Sequence, residues 1–384
     1  MNQKIKVLHI ITELELGGAQ LFTLWTMENL DKNIFSPFLI TNKKGTLNKR
    51  YKDKNNYFFI NTLIREINPV KDFLSLIKLY KTIKTIKPNI IHTHSSKAGI
   101  LGRWAGFFAR VPIIIHTVHG FGFSPFHSNF RKYLYIFLEK ITAKITDHFI
   151  FVSEDNLKQG EKLKISSKGK SSVIRSIVGL TDFRKNALKK EELKKIWGFP
   201  KDKTIIGGIF CFKPQKDPIG FLKVAKKAIE KNKNLVFFIA GDGEVRKPME
   251  DFIHENKLED KIKLLGWVDN TANLLPAFDI LLLTSLWEGL PQVVVQALVS
   301  KVKVVVSAVN GVKDIIKDGE NGFTFPPRDY DKAVEKLLLA VENKVSDNVL
   351  DRISDFFLNE FNPMIMVKKQ EDLYKTLVKE LENV

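Results

Sequence analysis

Along the chain, short apolar, β-branched runs alternate with stretches whose apolar positions recur every three or four residues. That alternation predicts strands and helices in turn, and therefore an α/β fold with parallel sheets. In the first half the predicted strands cover residues 6–11, 37–41, 57–60, 90–94, 111–119, 148–152 and 172–174. Between them a helix is predicted over 70–84, where Phe73, Leu74, Ile77, Tyr80 and Ile83 fall at the spacing of one buried face. A second series of strands is predicted at 204–212, 235–240, 261–265, 278–284 and 301–307. These are apolar almost without a break, as strands covered on both faces must be. Helices at 219–230 and 293–299 separate them.

The stretch between the two series, residues 180–203, is polar and carries no strand pattern. It predicts a linker with one short helix over 191–197. The organisation that follows is an N-terminal lobe over 1–180, a linker over 181–203 and a C-terminal lobe over 204–360. A C-terminal helix over 361–384 completes it, with Pro363 in the first turn and a return toward the N-terminal lobe as one option. Two doubly wound lobes would enclose a cleft at the carboxyl ends of their strands, where open α/β sheets bind ligands.

Composition supports a folded protein of two domains: 384 residues exceed one ordinary core, and 44% hydrophobic against 27% charged is globular. No apolar run approaches the roughly 20 residues that span a bilayer. The first twelve residues lack a following small-residue cleavage site and read as a first strand, not a signal peptide. Cys211 is the sole cysteine, which excludes internal disulfides and cysteine-cluster zinc sites; a reducing cytoplasm fits. Charge is uneven. Residues 1–180 hold 28 Lys and Arg against 12 Asp and Glu, a net of +16, out of +18 for the whole chain. One lobe is thus expected to face a polyanion, and an anionic membrane surface is preferred over nucleic acid because no nucleic-acid reader motif is present.

The segments able to carry chemistry follow predicted strands. In Thr284-Ser-Leu-Trp-Glu-Gly-Leu-Pro-Gln-Val-Val-Val-Gln-Ala-Leu, a strand runs into a loop with Glu288 and Gly289, and a helix starts near Pro291. Free amides around Gly289, Leu290 and Gln292 at the positive end of that helix suit a diphosphate. A second segment, Gly207-Gly-Ile-Phe-Cys-Phe-Lys-Pro-Gln-Lys-Asp-Pro, offers Lys213 and Lys216 as cations. Leu16-Gly-Gly-Ala-Gln opens a helix after the first strand, with no Gly-x-Gly-x-x-Gly of a dinucleotide dehydrogenase. His92, His94, His116 and His119 cluster at strand ends, without the carboxylate or cysteine that would complete a zinc-site spacing. Asp329-Tyr-Asp331 imitates a metal-binding Asp-x-Asp, but its place before a helix reads as capping.

Glu-Gly-Leu-Pro-Gln followed by an apolar helix resembles the Glu-x7-Glu region of glycosyltransferase family 4, bacterial polysaccharide-type group 1 enzymes. The resemblance spans nearly the whole chain and is strongest at 92–122, 207–218 and 284–300. It implies the GT-B fold, two Rossmann-like lobes, and a retaining, hexosyl-type transfer from a nucleotide-diphosphate sugar to a glycan or lipid-linked acceptor in surface-polysaccharide synthesis. No cofactor and no metal are expected; the partners are the donor and acceptor, and the location is cytoplasmic, peripheral on the inner membrane face. Residue by residue, it makes Glu288, His119 and Lys216 catalytic. It makes Gly18, Gln20, Asp242, Gly266, Trp267, Val268, Gly289, Leu290, Gln292 and Gln296 donor-binding, and puts His94 on the acceptor side. The chain departs from the family twice: Gln296 stands at the second Glu position, and Cys211 at the position of the usual Arg. The rival readings are a GT-B nucleotide-sugar epimerase and a non-catalytic basic protein that binds membrane or nucleic acid.

Overall fold

The computed structural model describes residues 4–15, 17–50, 55–123, 129–175, 177–343 and 346–382. Leu16 and the first three residues, part of the motifs above, lie outside them. The chain divides into two compact units, residues 1–178 with 361–384, and residues 179–360.

The first unit is built on seven parallel strands: β1 (Ile5–Ile10), β2 (Phe35–Thr41), β3 (Tyr57–Phe59), β4 (Ile90–His94), β5 (Ile113–Val118), β6 (His148–Phe151) and β7 (Ser171–Val173), in the order β3-β2-β1-β4-β5-β6-β7. Helices α1 (Gly18–Asn29), α2 (Pro69–Ile86), α3 (Ser96–Phe108), α4 (Asn129–Ala143) and α5 (Glu154–Lys162) connect them. Every residue of β4, β5 and β6 is buried, the reason apolar residues do not alternate with exposed polar ones; the polar exceptions, His92, Thr93, His94, His116, Thr117 and His148, are buried too.

The second unit opens with α6 (Leu180–Ala187) and α7 (Lys190–Ile196), so the expected linker of 181–203 contains two helices where one was predicted. Six parallel strands follow: β8 (Thr204–Ile209), β9 (Leu235–Ala240), β10 (Ile262–Gly266), β11 (Ile280–Leu283), β12 (Lys303–Ser307) and β13 (Phe323–Phe325), in the order β10-β9-β8-β11-β12-β13. Their helices are α8 (Pro218–Lys231), α9 (Arg246–Glu255), α10 (Gln292–Val299), α11 (Tyr330–Glu342) and α12 (Asp347–Glu360). The last helix, α13 (Pro363–Glu382), belongs to the first unit, where Met366, Val367 and Tyr374 join Val7, Phe22, Phe35 and Ile115 in one core cluster.

Three expectations need correction. Of the predicted face of α2 only Ile83 is buried; Phe73, Leu74, Ile77 and Tyr80 are exposed, at 63%, 42%, 37% and 37%, and the helix buries Ser75, Leu79 and Ile86 with Ile83. Periodicity finds an apolar stripe but does not say which of two neighbouring stripes meets the sheet. The strand predicted over 204–212 ends at Ile209, because Phe210 and Phe212 continue apolar as core residues of the loop that follows. Pro291 sits just before α10 at the cap position (φ −75°, ψ 87°), one residue earlier than a first-turn proline. Asp329 does cap α11, its side chain accepting from the Lys332 N–H.

Candidate active site

In each sheet, strand order reverses once, between β1 and β4 in the first unit and between β8 and β11 in the second. The connections leave such a point in opposite directions, so their loops part and leave room for a ligand at the carboxyl ends. Most of the predicted site residues gather at these two points.

In the second unit the loop after β8 is stitched to the loop after β11. The Leu286 N–H donates to the Gln215 carbonyl at 2.8 Å, and Gln215 Nε2 donates to the Trp287 carbonyl at 2.9 Å. Thr284 Oγ1 donates to the Asp217 carbonyl at 3.0 Å. Asp217 itself is held in the left-handed region (φ 50°), accepts from the Gly220 N–H to cap α8 and accepts from Tyr330 Oη at 2.9 Å. This bracing brings Lys216 Nζ to 2.5 Å from Glu288 Oε1. Ser285 Oγ donates to the same oxygen at 2.6 Å, and Ser285 is in turn fixed by Ser307 Oγ donating to its carbonyl at 2.5 Å. Glu288 is buried and Lys216 largely so, which makes their attraction stronger than at a solvated surface. Gly289 is approached so closely by Gly311 (φ 75°) that a Cβ on Gly311 would lie 2.0 Å from the Gly289 carbonyl oxygen.

Gly289, Leu290, Gln292 and Gln296 surround the start of α10, with Gln292 and Gln296 partly exposed. Asp242 is not a free carboxylate: Arg246 donates to its Oδ2 at 3.0 Å. Its flanking Gly241 and Gly243 both have positive φ, and a Cβ on Gly241 would lie 1.9 Å from the Phe210 carbonyl oxygen. The Asp242 loop is therefore fastened to the Cys211 loop, where Cys211 is a free, half-buried thiol. Gly266, also at positive φ (74°), ends β10 and is followed by exposed Trp267 and partly exposed Val268. Trp267 has 57% of its surface exposed and is not a core residue.

In the first unit, Gly18 opens α1, and Gln20 reaches back to the Glu13 carbonyl at 3.2 Å. The histidines form a row, buried at His9, His92, His94 and His116 and half-buried at its outer end, His119. His119 Nε2 lies 3.2 Å from His94 Nδ1, and His94 Nε2 lies 3.1 Å from His9 Nδ1. His92 is held by Thr117 Oγ1 and Tyr374 Oη, both at 2.6 Å. His116 Nδ1 meets Thr93 Oγ1 at 2.9 Å, and Gly99 lies against its ring, leaving no room for a Cβ. Burial lowers every one of these imidazoles: His9 and His119 to about 3, and His92, His94 and His116 well below the ordinary value, so all five are neutral at pH 7. The lack of charge follows from desolvation first; second come the neighbouring histidines at His92 and His94, Lys32 at His9 and Arg103 at His116. His9, His92 and His94 bring ring nitrogens within 4.8 Å of one another, close enough to consider a metal. Yet both nitrogens of His92 and of His94 already have hydrogen-bond partners, and no carboxylate joins the set to offset a buried dication.

Sequence reasoning missed His9, Tyr374, Ser285 and Ser307. His9 had a usable signal, a lone titratable residue inside the otherwise apolar Val-Leu-His-Ile-Ile run. Tyr374 had none, since its partner His92 lies 282 positions away.

The sequence matches two family models in succession, Glycosyltransferase Family 4 over residues 16–178 and Glycosyl transferases group 1 over residues 189–354. A relative from Escherichia coli, the UDP-Gal:alpha-D-GlcNAc-diphosphoundecaprenol alpha-1,3-galactosyltransferase, is 35% identical over 98% of both chains. The capsular polysaccharide biosynthesis glycosyltransferase CapM of Staphylococcus aureus is 24% identical over 99% of both. Among solved structures, Anabaena HepE in complex with UDP superimposes with a TM-score of 0.80 at 16% identity, covering 97% of this chain and 100% of that one. The fold is accordingly GT-B, and the 35% identity across nearly the full length carries the enzyme class as well. The chain belongs to the group 1 glycosyl transferases and is a glycosyltransferase.

Proposed function

We propose that the protein transfers a hexose, with retention of configuration and without a metal, from a uridine-diphosphate sugar to a diphospholipid-linked glycan. The observation that carries this reading is the braced Lys216–Glu288–Ser285 cluster at the reversal point of the second sheet. Lys216 is a cation where charge builds on a leaving diphosphate, and the amides at the start of α10 add to it. In the resting chain Lys216 is paired with Glu288, so an arriving diphosphate would compete for it and free the carboxylate for sugar hydroxyls. Both hydrogen bonds to Glu288 fall on Oε1, which leaves Oε2 available to the sugar. His119, neutral, would contact the donor sugar, and His94 the acceptor side.

Among the described residues Glu288 is bonded to Lys216 and Ser285 and pairs with no second carboxylate, and the nearby Asp217 carboxylate is engaged by the Gly220 N–H and Tyr330 Oη, so the double-displacement route of retaining glycosidases has no support. Departure and attack on one face remains, with the leaving phosphate oxygen taking the acceptor's proton. Retention is supported further by the E. coli relative: its donor, UDP-galactose, is α-linked, and its product is α-1,3-linked. That relative's acceptor is a diphosphoundecaprenol sugar, which motivates the lipid-linked acceptor proposed here.

The reading includes a peripheral, cytoplasmic-face membrane association through the first unit. Among the described residues no helix is long and apolar enough to cross a bilayer. The exposed stripe of α2, with Val70, Phe73 and Leu74, is flanked by Lys71, Lys78 and Lys81, and α4 exposes Phe130, Tyr133 and Phe137. Apolar residues among lysines suit an anionic leaflet.

The test is radiolabelled transfer from UDP-hexoses to undecaprenyl-diphosphate sugars, with chelator present. Glu288→Ala is expected to lower turnover 100-fold or more. Full turnover by that variant, or transfer abolished by chelator, would refute the assignment. Co-sedimentation should be stronger with anionic than with neutral vesicles; equal binding would refute the membrane surface.

A further inference from the structure

The row of histidines has a direction that its hydrogen bonds alone do not reveal. His9, His94 and His119 are linked ring to ring, Nδ1 of each inner residue facing Nε2 of the next outward one. A neutral imidazole carries one N–H and one bare nitrogen, so each link forces the next. Only two arrangements satisfy both links. In the outward arrangement His9 Nδ1–H donates to His94 Nε2, and His94 Nδ1–H donates to His119 Nε2. His119 is then protonated at Nδ1. In the inward arrangement every proton sits on Nε2, and the last N–H, on His9, points into the core.

The end of the row decides between them. His9 is completely buried, and its Nε2 has no hydrogen-bond partner. The inward arrangement would leave a buried N–H with nothing to accept it, and orphaned buried N–H groups are the rarest defect in native proteins. The outward arrangement leaves only a bare nitrogen there.

We propose that His9 and His94 are positioning residues that fix His119 in its Nδ1–H form, so that the enzyme presents a hydrogen-bond donor to the ligand at that position. His119 is half-buried, and its Nδ1 has no partner among the described residues, so the donor is unspent. It suits an oxygen acceptor, such as a sugar hydroxyl oxygen or an oxygen gaining negative charge. It does not suit a proton donor. His92 stands beside the row without joining it, because its two nitrogens are taken by Thr117 and Tyr374. The functional part of this inference rests on reading His119 as a donor-sugar contact; the tautomers do not.

The test uses the full chain with ¹⁵N-labelled histidine. Long-range ¹H–¹⁵N spectra separate protonated from bare ring nitrogens, and single histidine substitutions assign the signals. His9, His94 and His119 are expected all to be Nδ1–H at pH 7. An Nε2–H form for any of the three, an imidazolium, or a stoichiometric metal on these nitrogens would overturn the proposal. Activity then tests the consequence. His9→Leu removes the anchoring donor and is expected to lower kcat/KM about tenfold. His9→Asn keeps an amide N–H near the Nδ1 position and is expected to retain activity within about threefold. Equal losses in the two variants, both folded, would overturn the positioning role. Should the tautomers be as stated while His119→Ala keeps full activity, the donor-contact reading fails and the relay stands as a structural feature only.

Discussion

Acid should unfold the first unit and spare the second. His9 is completely buried and titrates near 3, against about 6.5 for an exposed imidazole. Between those values the unfolded chain takes up a proton that the native state refuses, so falling pH favours unfolding. At pH 5 this one residue costs about 2 kcal/mol relative to pH 7.5, and the cost grows until pH passes below about 3. His92, His94, His116, His119 and His148 are all lowered by burial and act with the same sign. Asp147, raised by burial, acts in the opposite direction and tempers the total. Asp279 and Asp318, lowered in the native state, lose their stabilisation only at more acid pH, outside this window. All of these histidines lie in residues 1–178, whereas the single histidine of the second unit, His254, is exposed on α9. Urea unfolding at pH 7.5 and pH 5, followed by pulsed hydrogen exchange at fixed pH and read by peptide, separates the units. Strands β1, β4 and β5 should lose at least about 30-fold in folded-to-unfolded ratio, and β8, β9 and β11 should change little. An equal loss in both units, or none in the first, would refute the argument from buried neutral imidazoles.

Two further outcomes follow from packing. Arg103→Ala should destabilise the first unit by about 3–5 kcal/mol, because it strips Glu139, 2.7 Å away and nearly buried, of its partner and leaves the Gly99 carbonyl without the Nε donor. Wild-type urea midpoints would show that the pair contributes nothing. Gly207→Ala should lower the melting temperature of the second unit by several degrees, since its Cβ would lie 1.8 Å from the Phe278 ring and force the core apart at about 1–3 kcal/mol. An unchanged melting temperature would mean that Phe278 can move aside.

Strands such as β9 and β11 were legible because burial on both faces writes itself as an unbroken apolar run. Strand β13, three residues between Gly322 and Pro326, is too short for any period to appear, and it was missed. The α2 stripe was read as core because a period reports only that one side of a helix is apolar; Leu79, Ile83 and Ile86 are the side that meets the sheet. At the site, the order of motifs after strands was readable, and so were Glu288 and Lys216 as polar residues in constrained loops. That these two meet at 2.5 Å was not readable, nor that Asp242 is held by Arg246, because such pairings depend on which loops the sheet order brings side by side. The direction of the histidine row was equally hidden, since it depends on one ring nitrogen without a partner.

The placement of α13 sets an order of events during synthesis. Residues 179–360 form one uninterrupted stretch, so the second unit can close as soon as it has left the ribosome. The first unit, although translated earlier, waits for Met366, Val367 and Tyr374 to fill its core and for the Tyr374 hydroxyl to reach His92. Until then its nascent strands lack that part of their core, and the unfilled apolar surface lies on the earlier-made half and not on the later-made one.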